Sequence, residues 1–378
     1  MKILITGGAG FIGAALTRRL VELGHLVGIV DSLSPQIHGQ EPEVSSSLYL
    51  SIRDKAQFFR GSVCDRDTWL KAIPGYEAIV HLAAETGTGQ SMYEIQRYAD
   101  ANIGGTAVML DVLANGAHTI SKVVVASSRA IYGEGKYFSK SLGVVYPKAR
   151  ADSDLKAGRF EPMCPQSGEP LELMATDEES EIHPISVYGI TKQTQEQLVM
   201  TVCQSIGLVA VALRYQNVYG PGQALANPYT GILSIFSTRI LNGNPINIFE
   251  DGRESRDFVF IDDVVDATEK ALFLDQANNQ IFGVGSGVPT SVLSVAKILV
   301  QHFERDVPIQ VSGSYRLGDI RHNYADIKKA RRLLGFDPKV NFQSGIKIFT
   351  EWVRSQTVQK DDLDSSFNAL KLRGLLKS

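Results

Sequence analysis

The glycine-rich segment near the start of the chain constrains the fold more than any other feature. Gly7, Gly10 and Gly13 recur at every third position, directly after the apolar run Lys2–Thr6 and before Phe11–Leu23, whose apolar residues have helical spacing. A strand, tight turn and helix in this order let the backbone approach a pyrophosphate closely, and the helix N terminus supplies N–H groups and partial positive charge. The segment predicts a dinucleotide site; an ordinary turn between strand and helix is the alternative.

Asp31 indicates which dinucleotide the site takes. It ends the second strand-like run, Leu26–Asp31, where a carboxylate can accept hydrogen bonds from both hydroxyls of a ribose. The same negative charge repels a 2′-phosphate, so we predict NAD rather than NADP. A solvated aspartate at the end of an ordinary strand is the alternative reading.

The order of strands and helices predicts an α/β fold, a doubly wound parallel sheet of the Rossmann type. Strands that read as continuous apolar runs between helices belong to parallel sheets covered on both faces, and crossovers are right-handed. After Tyr215 the pattern becomes less regular, which predicts a smaller mixed α/β lobe that binds substrate. We expect an NAD-binding domain over 1–217 with an insertion at 134–183, and a second domain over 218–378 from which 256–285 returns to the first.

Composition excludes several classes of protein. The chain has 38 basic and 41 acidic residues, a net charge of −3 and no basic runs, which argues against a nucleic-acid or membrane-surface binder. We recognise no secretory signal and no apolar run long enough to cross a bilayer. Three widely separated cysteines, Cys64, Cys164 and Cys203, fit a reducing compartment. We therefore expect a cytoplasmic protein.

Three polar residues form a candidate catalytic group. Tyr188 and Lys192 are four apart in a helical pattern, so their side chains share one face, and Ser128 ends the strand Lys122–Ser128. A tyrosine with an ordinary pKa of ~10 acts as a base near pH 7 only if that pKa falls by about 3 units, which a nearby ammonium and an oxidised nicotinamide would supply. Ser128 would share a hydrogen bond between Tyr188 and a substrate hydroxyl. A surface pair on a helix is the alternative.

Four motifs together resemble the extended short-chain dehydrogenase/reductase superfamily, from Met1 to about Arg354. Thr6–Gly13 is similar to its TGxxGxxG turn, His81–Ala84 to its HxAA segment, Ser127–Gly133 to its SSxxxYG segment and Tyr188–Lys192 to its YxxxK motif. The resemblance implies a catalytic triad of Ser128, Tyr188 and Lys192. It implies NAD contacts from Gly7, Gly10, Phe11, Ile12, Gly13, Asp31, Val63, Leu82, Ala83, Ala84, Tyr188 and Lys192.

Further segments resemble those with which this superfamily binds a nucleotide-diphosphate sugar. Leu213–Gly222 is similar to its LRxxNVYGPGQ segment, and Arg256 and Arg316 lie in segments similar to RDFVxVDD and RxGDxR. The resemblance implies that the two arginines grip the diphosphate, because a guanidinium matches phosphate oxygens bidentately; surface ion pairs are the alternative. The predicted substrate contacts are Thr88, Ser128, Arg129, Asn217, Asn227, Arg256 and Arg316.

The reaction type follows from the residue after Ser128. Dehydratases and decarboxylases of the superfamily have acidic residues there, whereas this chain has Arg129, which favours epimerisation through a keto sugar. The segment 84–94 resembles dTDP-L-rhamnose 4-epimerases and CDP-tyvelose 2-epimerases. The first hypothesis is therefore interconversion of dTDP-L-rhamnose and dTDP-6-deoxy-L-talose. A CDP-sugar 2-epimerase or UDP-hexose 4-epimerase is the second, and a non-catalytic NAD-sensing protein is the third, against which the complete triad speaks.

The segment Gly133–Pro184 has no sustained periodicity, so we read it as an insertion near the sugar pocket. Part of it resembles a CPxCG knuckle, but Ser167 replaces the second cysteine. Cys164 and His183 fall short of the four ligands of a tetrahedral zinc site, so we predict no metal. The resemblance also implies a homodimer formed through the predicted helices Tyr93–Gly116 and Tyr188–Ser205.

Overall fold

A computed structural model describes residues 1–227, Tyr229 and residues 231–377. Its strands are β1 (Lys2–Thr6), β2 (Leu26–Asp31), β3 (Gln57–Arg60), β4 (Ala78–His81), β5 (Lys122–Ser128), β6 (Tyr137–Ser139), β7 (Gly143–Val145), β8 (Glu172–Leu173), β9 (Val209–Tyr215), β10 (Asn217–Tyr219), β11 (Ile246–Ile248), β12 (Ser255–Phe260), β13 (Gln280–Val284), β14 (Pro289–Ser291), β15 (Ile309–Val311), β16 (Tyr315–Arg316), β17 (His322–Asn323) and β18 (Leu376–Lys377).

The α-helices are α1 (Phe11–Glu22), α2 (Pro35–His38), α3 (Pro42–Ser45), α4 (Ser47–Leu50), α5 (Arg66–Ala72), α6 (Thr88–Ser91), α7 (Ile95–Tyr98), α8 (Gly105–Asn115), α9 (Asp152–Lys156), α10 (Val187–Ser205), α11 (Ile232–Leu241), α12 (Ile261–Phe273), α13 (Val292–Phe303), α14 (Lys328–Leu334), α15 (Phe342–Arg354) and α16 (Leu363–Leu372). Over the described residues, none of these helices is both long and apolar enough to cross a lipid bilayer.

A seven-stranded sheet in the order β3-β2-β1-β4-β5-β9-β13 forms the centre of the molecule. All its neighbouring strands pair in parallel, with Thr6 at the end of β1 opposite both Val30 of β2 and His81 of β4. The order of strands reverses between β1 and β4, and ligands of such sheets bind beyond the carboxyl ends of the strands at that point. The predicted doubly wound parallel sheet is confirmed.

Helices cover both faces of this sheet, as its apolar strands require. Ile3 and Ile5 of β1 belong to one buried cluster and Leu4 to the other, because successive side chains of a strand point to opposite faces. Helices α1 and α12 pack on the first face, and α5, α8 and α10 on the second. The strands are therefore buried on both sides, and only their ends are free to form a site.

The predicted helix Tyr93–Gly116 is interrupted. It consists of α7, a π-helical segment over Ala99–Gly104, and α8. Within the π segment, the buried Asn102 accepts a hydrogen bond from the Glu85 backbone N–H at 2.7 Å and donates to the Thr191 hydroxyl at 2.9 Å. The widened turn thus directs an amide side chain towards α10 and the loop after β4, as π segments at functional sites often do.

The second lobe is built from small sheets. Between its elements, the chain returns once to the large sheet. Strand β12 pairs with β10, β14 and β17, while β11 pairs with β15. Helix α12 packs on β5 and β9, and β13 lies beside β9 as the last strand of the large sheet. The C-terminal segment is docked: Leu376 of β18 lies opposite Arg316 of β16.

The segment 134–183 has structure of its own, although its sequence has no periodicity. Strands β6, β7 and β8 form an antiparallel sheet over a small core of Tyr137, Cys164 and Leu171. Strands of two or three residues are too short to give a visible alternation. Glu161 of this segment pairs with the fully buried Arg321, which joins the segment to the second lobe.

Candidate active site

A cleft of about 550 Å³ runs along the carboxyl edge of the large sheet. It lies where β1, β2, β4 and β5 end, and residues of the second lobe form its other wall. Every predicted site residue except Arg256 and Arg316 lines it: Gly7, Gly10, Phe11, Ile12, Gly13, Asp31, Val63, Leu82, Ala83, Ala84, Thr88, Ser128, Arg129, Tyr188, Lys192, Asn217 and Asn227. Predicted cofactor, catalytic and substrate residues therefore share one cavity.

The turn between β1 and α1 requires glycine at two positions. Gly7 has a φ of +67°, and a Cβ added there would lie 2.8 Å from the Ala83 nitrogen. A Cβ on Gly13 would lie 2.2 Å from the carbonyl oxygen of Gly7. No side chain among the described residues caps the start of α1 at Gly10, so its first N–H groups are open to an anionic ligand.

The carboxylate of Asp31 is held in a fixed orientation at the other end of the cofactor region. Oδ2 accepts a hydrogen bond from the Ala9 N–H at 3.0 Å, and Oδ1 accepts one from the Leu33 N–H at 2.9 Å. Each oxygen keeps a further lone pair for a hydroxyl donor. The close-packed glycine turn at Gly7 and Gly13 fits the pyrophosphate of NAD, and the fixed Asp31 carboxylate fits its ribose.

Ser128 and Tyr188 both line the cleft. The Ser128 hydroxyl accepts a hydrogen bond from the Ala130 N–H at 3.1 Å. The backbone N–H of Tyr188 donates to the Ser91 hydroxyl at 3.0 Å, which fixes the first turn of α10. Burial raises the pKa of Tyr188, while the nearby Ser128 hydroxyl and the positive charge of Arg129 act in the opposite direction.

Lys192 lies on the same helix, one turn after Tyr188, and is buried. Its ammonium donates to the side-chain oxygen of Gln195, and burial lowers the pKa of Lys192 to about 7 although the charge of Glu196 opposes this. That this ammonium lowers the pKa of Tyr188 when oxidised NAD is bound stays a prediction. Gln195 escaped the sequence analysis, although its i,i+3 spacing from Lys192 places both residues on one face.

Gln195 continues into a buried polar chain that ends at the glycine turn. Its amide donates to the Thr106 hydroxyl at 2.9 Å, which lies 3.0 Å from Nε2 of His81; Nδ1 of that ring lies 2.7 Å from the Thr6 hydroxyl. Burial lowers the pKa of His81 to about 3, so the ring is neutral. The Thr6 hydroxyl in turn accepts the Ala83 N–H at 3.2 Å. The histidine of the HxAA segment therefore connects α10 to both cofactor loops.

On the substrate side, Arg129 is fixed from one side only. Its Nε donates to Oδ1 of Asn217 at 2.8 Å, while its Nη1 is inaccessible to solvent and has no hydrogen-bond partner among the described residues. Burial and the positive charge of Arg256 lower the pKa of Arg129 to about 9. Asn227 is buried nearby in the cleft wall, where its side chain accepts the Tyr229 N–H at 3.0 Å.

Arg256 and Arg316 do not line the cleft, because each guanidinium has partners within the protein. Nη1 of Arg256 donates to the carbonyl oxygens of Ser255 at 2.8 Å and Arg321 at 3.0 Å. Arg316 pairs with Asp319 at 2.7 Å, and its guanidinium lies 5.1 Å from the centre of the Phe249 ring. That these two arginines hold a diphosphate stays a prediction.

The cleft has a polar wall that the sequence analysis missed. Arg97 donates to Gln36 at 3.0 Å, to Glu85 at 2.7 Å and to Glu94 at 2.8 Å. Arg97, Gln36 and Glu85 line the cleft. These contacts join the loop after β2 to the loop after β4 and to α7. Only the Glu94–Arg97 pair has a local i,i+3 spacing; Gln36 and Glu85 are too distant in sequence from Arg97 for a local pattern to signal these contacts.

The cysteine of the insertion is held by hydroxyl groups. Cys164 lies 3.3 Å from the Ser139 hydroxyl, and hydrogen bonds from Ser139, Ser167 and Ser141 lower the pKa of the thiol to about 6. Over residues 1–227, 229 and 231–377, no group of three or more His, Cys, Asp or Glu residues is arranged to hold a metal ion. The predicted absence of zinc stays a prediction.

Comparison with known proteins gives similarity along almost the whole chain. The sequence profile described as "NAD dependent epimerase/dehydratase family" matches residues 3–150 and 162–285. The chain is 36% identical to dTDP-L-rhamnose 4-epimerase of Burkholderia thailandensis, over 95% of this chain and 97% of that protein. It is 29% identical to a putative UDP-glucose 4-epimerase of Methanocaldococcus jannaschii, over 93% of this chain and 98% of that protein. The crystal structure of UDP-glucose 4-epimerase from Thermotoga maritima with UDP-glucose superposes with a TM-score of 0.72 at 30% identity, covering 94% of this chain and 99% of that one.

Proposed function

This chain belongs to the NAD dependent epimerase/dehydratase family, and from that membership we propose that it inverts one carbon of a nucleotide-sugar, interconverting dTDP-L-rhamnose and dTDP-6-deoxy-L-talose. NAD is its cofactor. The observation that carries the proposal is that Ser128, Tyr188 and the buried Lys192 line the same cleft as Asp31 and the glycine turn. A proton-transfer group thus faces the cavity that fits the dinucleotide.

The residues of the chain divide the work between proton transfer and orientation. Tyr188 takes the proton of the sugar hydroxyl and later returns it, and Ser128 holds that hydroxyl and the phenol in line through its own oxygen. Bound NAD supplies the hydride acceptor and donor. The keto sugar then rotates in the cleft, so that the hydride returns to the opposite face of the same carbon. Asp31 and the backbone at Gly7 keep the cofactor oriented during this exchange.

Three features favour epimerisation of a dTDP-6-deoxy sugar. The position after Ser128 is Arg129, and Ala130 and Ile131 follow it, so no acid lies where an elimination would need one. The 36% identity to the Burkholderia protein extends over 95% of the chain. Thr88 of the segment that resembles dTDP-L-rhamnose 4-epimerases lines the cleft.

A second candidate is epimerisation of a UDP-hexose at carbon 4. It is favoured by the similarity to the Methanocaldococcus protein and to the Thermotoga structure, both of which are named UDP-glucose 4-epimerases. The CDP-tyvelose 2-epimerase reaction has only the sequence segment 84–94 in its favour. The three candidates share the same proton and hydride chemistry and differ in the nucleotide and in the carbon inverted.

The test is to incubate the purified holoenzyme with dTDP-L-rhamnose, UDP-glucose and CDP-tyvelose and to follow product configuration by proton NMR. We expect dTDP-6-deoxy-L-talose from the first and no product from the others. Turnover of UDP-glucose alone would select the second candidate. Tyr188→Phe should lose activity on the order of a hundredfold or more, whereas Tyr98→Phe, a neighbouring ring 6.5 Å away, should keep it. Activity of Tyr188→Phe within tenfold of the wild type would refute the proposal.

We also propose that the protein acts as a homodimer in the cytoplasm. Ile95 of α7 is 56% exposed and Ile190 of α10 is 48% exposed, which favours burial of these helices in an interface. Sedimentation velocity tests this: a monomer across the micromolar range would contradict it.

A further inference from the structure

Gln195 is a fully buried amide whose two ends have different partners. Its side-chain oxygen accepts a hydrogen bond from the Lys192 ammonium, and its Nε2 donates to the Thr106 hydroxyl at 2.9 Å. Of these side chains on the described part of the molecule, Lys192 lines the cleft and Gln195 does not. Any contribution of Gln195 to the reaction is therefore made through Lys192.

The orientation of this amide is fixed by the residues behind it. The Thr106 hydroxyl donates its single proton to the carbonyl oxygen of Asn102 at 2.6 Å. Its oxygen therefore acts as the acceptor for Nε2 of Gln195 and for Nε2 of His81, which lies 3.0 Å away. An amide rotated by half a turn would direct its NH2 group at the ammonium and its oxygen at a hydroxyl that has no proton left to donate. Thr106 thus keeps the amide oxygen directed at Lys192.

The structure gives Lys192 this neutral acceptor in place of a carboxylate. Glu196 is the acid whose charge acts on Lys192, but both of its oxygens accept hydrogen bonds from Arg214, at 2.7 and 3.0 Å. His81 of β4 is the other titratable group that interacts electrostatically with the ammonium, and its ring is neutral. Within the described residues, the side chain that holds the ammonium is therefore an uncharged one.

A neutral acceptor suits a cation that has to act on another group. A carboxylate would hold the ammonium more firmly but would cancel much of its positive charge, whereas an amide oxygen orients the ammonium and leaves the charge in place. An ammonium also has three N–H donors, so the bond to Gln195 leaves two for other partners.

We propose that Gln195 is a positioning residue whose amide oxygen holds the Lys192 ammonium in place without cancelling the positive charge that Lys192 exerts on Tyr188. This rests on the proposed function, in which Tyr188 exchanges a proton with the sugar. It follows that a residue without an acceptor and a residue with a charged acceptor should both impair the enzyme at this position, and should do so in opposite ways.

The first test needs no sugar. Protonation of Lys192 is followed in the NAD-loaded protein by carbon NMR of isotope-labelled lysine side chains, and its signal is identified by its loss in Lys192→Met. Gln195→Met should lower the midpoint of Lys192 by about one pH unit or more, because the ammonium loses its acceptor. Gln195→Glu should raise the midpoint by about as much, because a negative charge favours the ammonium. Gln197→Met removes an exposed glutamine of the same helix and should leave the midpoint unchanged.

The second test uses activity. For Gln195→Met we expect kcat to fall on the order of tenfold or more, because the cation is no longer held in place. KM should change little, since Gln195 does not line the cleft, and the basic limb of kcat should move to lower pH with the titration. Gln195→Glu should move the basic limb to higher pH. It should move the acid limb to higher pH as well, because a cancelled cation no longer lowers the pKa of Tyr188.

A role in packing alone would lower stability without moving the two limbs in this pattern. The proposal is overturned by a Lys192 midpoint that Gln195→Met leaves unmoved in protein that retains NAD and the melting temperature of the wild type. Should Gln195→Met fail to fold, a midpoint that does not rise in Gln195→Glu overturns it. If the midpoints shift as expected but the wild type turns over none of the three sugars, the proposed function fails while the contact between Gln195 and Lys192 stands.

Discussion

The ammonium of Lys192 donates a hydrogen bond to the amide oxygen of Gln195, three residues further along α10, and both side chains are buried. The partner is a neutral amide, so it compensates the charge less than a carboxylate would. The charge of the buried lysine is consequently only partly compensated.

Lys192 should make the stability of the NAD-free protein depend on pH above neutrality. Burial lowers the pKa of Lys192 in the folded protein to about 7, whereas an unfolded chain has the ordinary value. Between these two values the unfolded state binds more protons, so the contribution of Lys192 to the free energy of unfolding rises with pH. We expect a gain of roughly 2 kcal/mol between about pH 7 and pH 9 from this group.

Urea unfolding at both pH values, compared with Lys192→Met, measures this contribution. The variant cannot titrate at this position and should lose the gain. Lys297→Met is the control, because it removes a lysine that is exposed rather than buried. Equal pH slopes for wild type and Lys192→Met would contradict the prediction.

Gly13→Ala should impair the cofactor turn. The added Cβ would lie 2.2 Å from the Gly7 carbonyl oxygen, a backbone atom, so the turn must move. We expect a loss of stability of about 1–3 kcal/mol and purified protein without bound NAD. Gly104→Ala is the matched control, because the nearest atom to its added Cβ is 3.8 Å away and its φ is −60°. Retention of NAD by Gly13→Ala at wild-type stoichiometry would contradict the prediction.

Asp31→Asn should weaken the discrimination between NAD and NADP. The substitution removes the charge that repels a 2′-phosphate while leaving an oxygen to accept from the Ala9 or Leu33 N–H. We expect NAD affinity to fall on the order of tenfold, about 1.4 kcal/mol, and the ratio of NADP to NAD affinity to rise. Calorimetric titration of cofactor-free protein measures both. An unchanged ratio would show that Asp31 does not face the ribose.

Arg321→Met should destabilise the junction between the insertion and the second lobe. The guanidinium is fully buried between Glu161, Glu250 and Asp251. Its removal leaves Asp251 without its cation and Glu250 with Arg150 as its remaining partner. Breaking such a buried network costs roughly 3–5 kcal/mol. Arg331→Met, which breaks an exposed pair with Asp337, should cost less than about 1 kcal/mol. Similar urea midpoints for the two variants would contradict this difference.

Local sequence signals predicted the parts of the site that one strand and one turn determine. The positions of Gly7, Gly13 and Asp31 follow from a strand, a glycine turn and the end of the next strand, and the structure places all three in the cleft. Tyr188 and Lys192 share a helix face for the same local reason. Sheet order then brings these elements together, because parallel strands all end at one edge.

Contacts between distant segments lay outside what the sequence could predict. The hydrogen bonds from Arg97 to Gln36 and Glu85 join segments that follow two different strands. The π segment that contains Asn102 interrupts an otherwise regular helical pattern. Arg316 lies in a recognisable motif, yet its orientation depends on Asp319 and the ring of Phe249. Which atoms a side chain meets is decided by tertiary packing.

The pairing of β18 with β16 has a practical consequence for anyone who handles this protein. Leu376 lies opposite Arg316. Leu370 of α16 packs close to Gly89 of α6 beside the cleft, since a Cβ added to Gly89 would lie 3.8 Å from the Leu370 side chain. A purification tag fused at the C-terminal end, or proteolysis within α16, would therefore perturb the surroundings of the cleft. Tags are better attached ahead of Met1, which is 44% exposed.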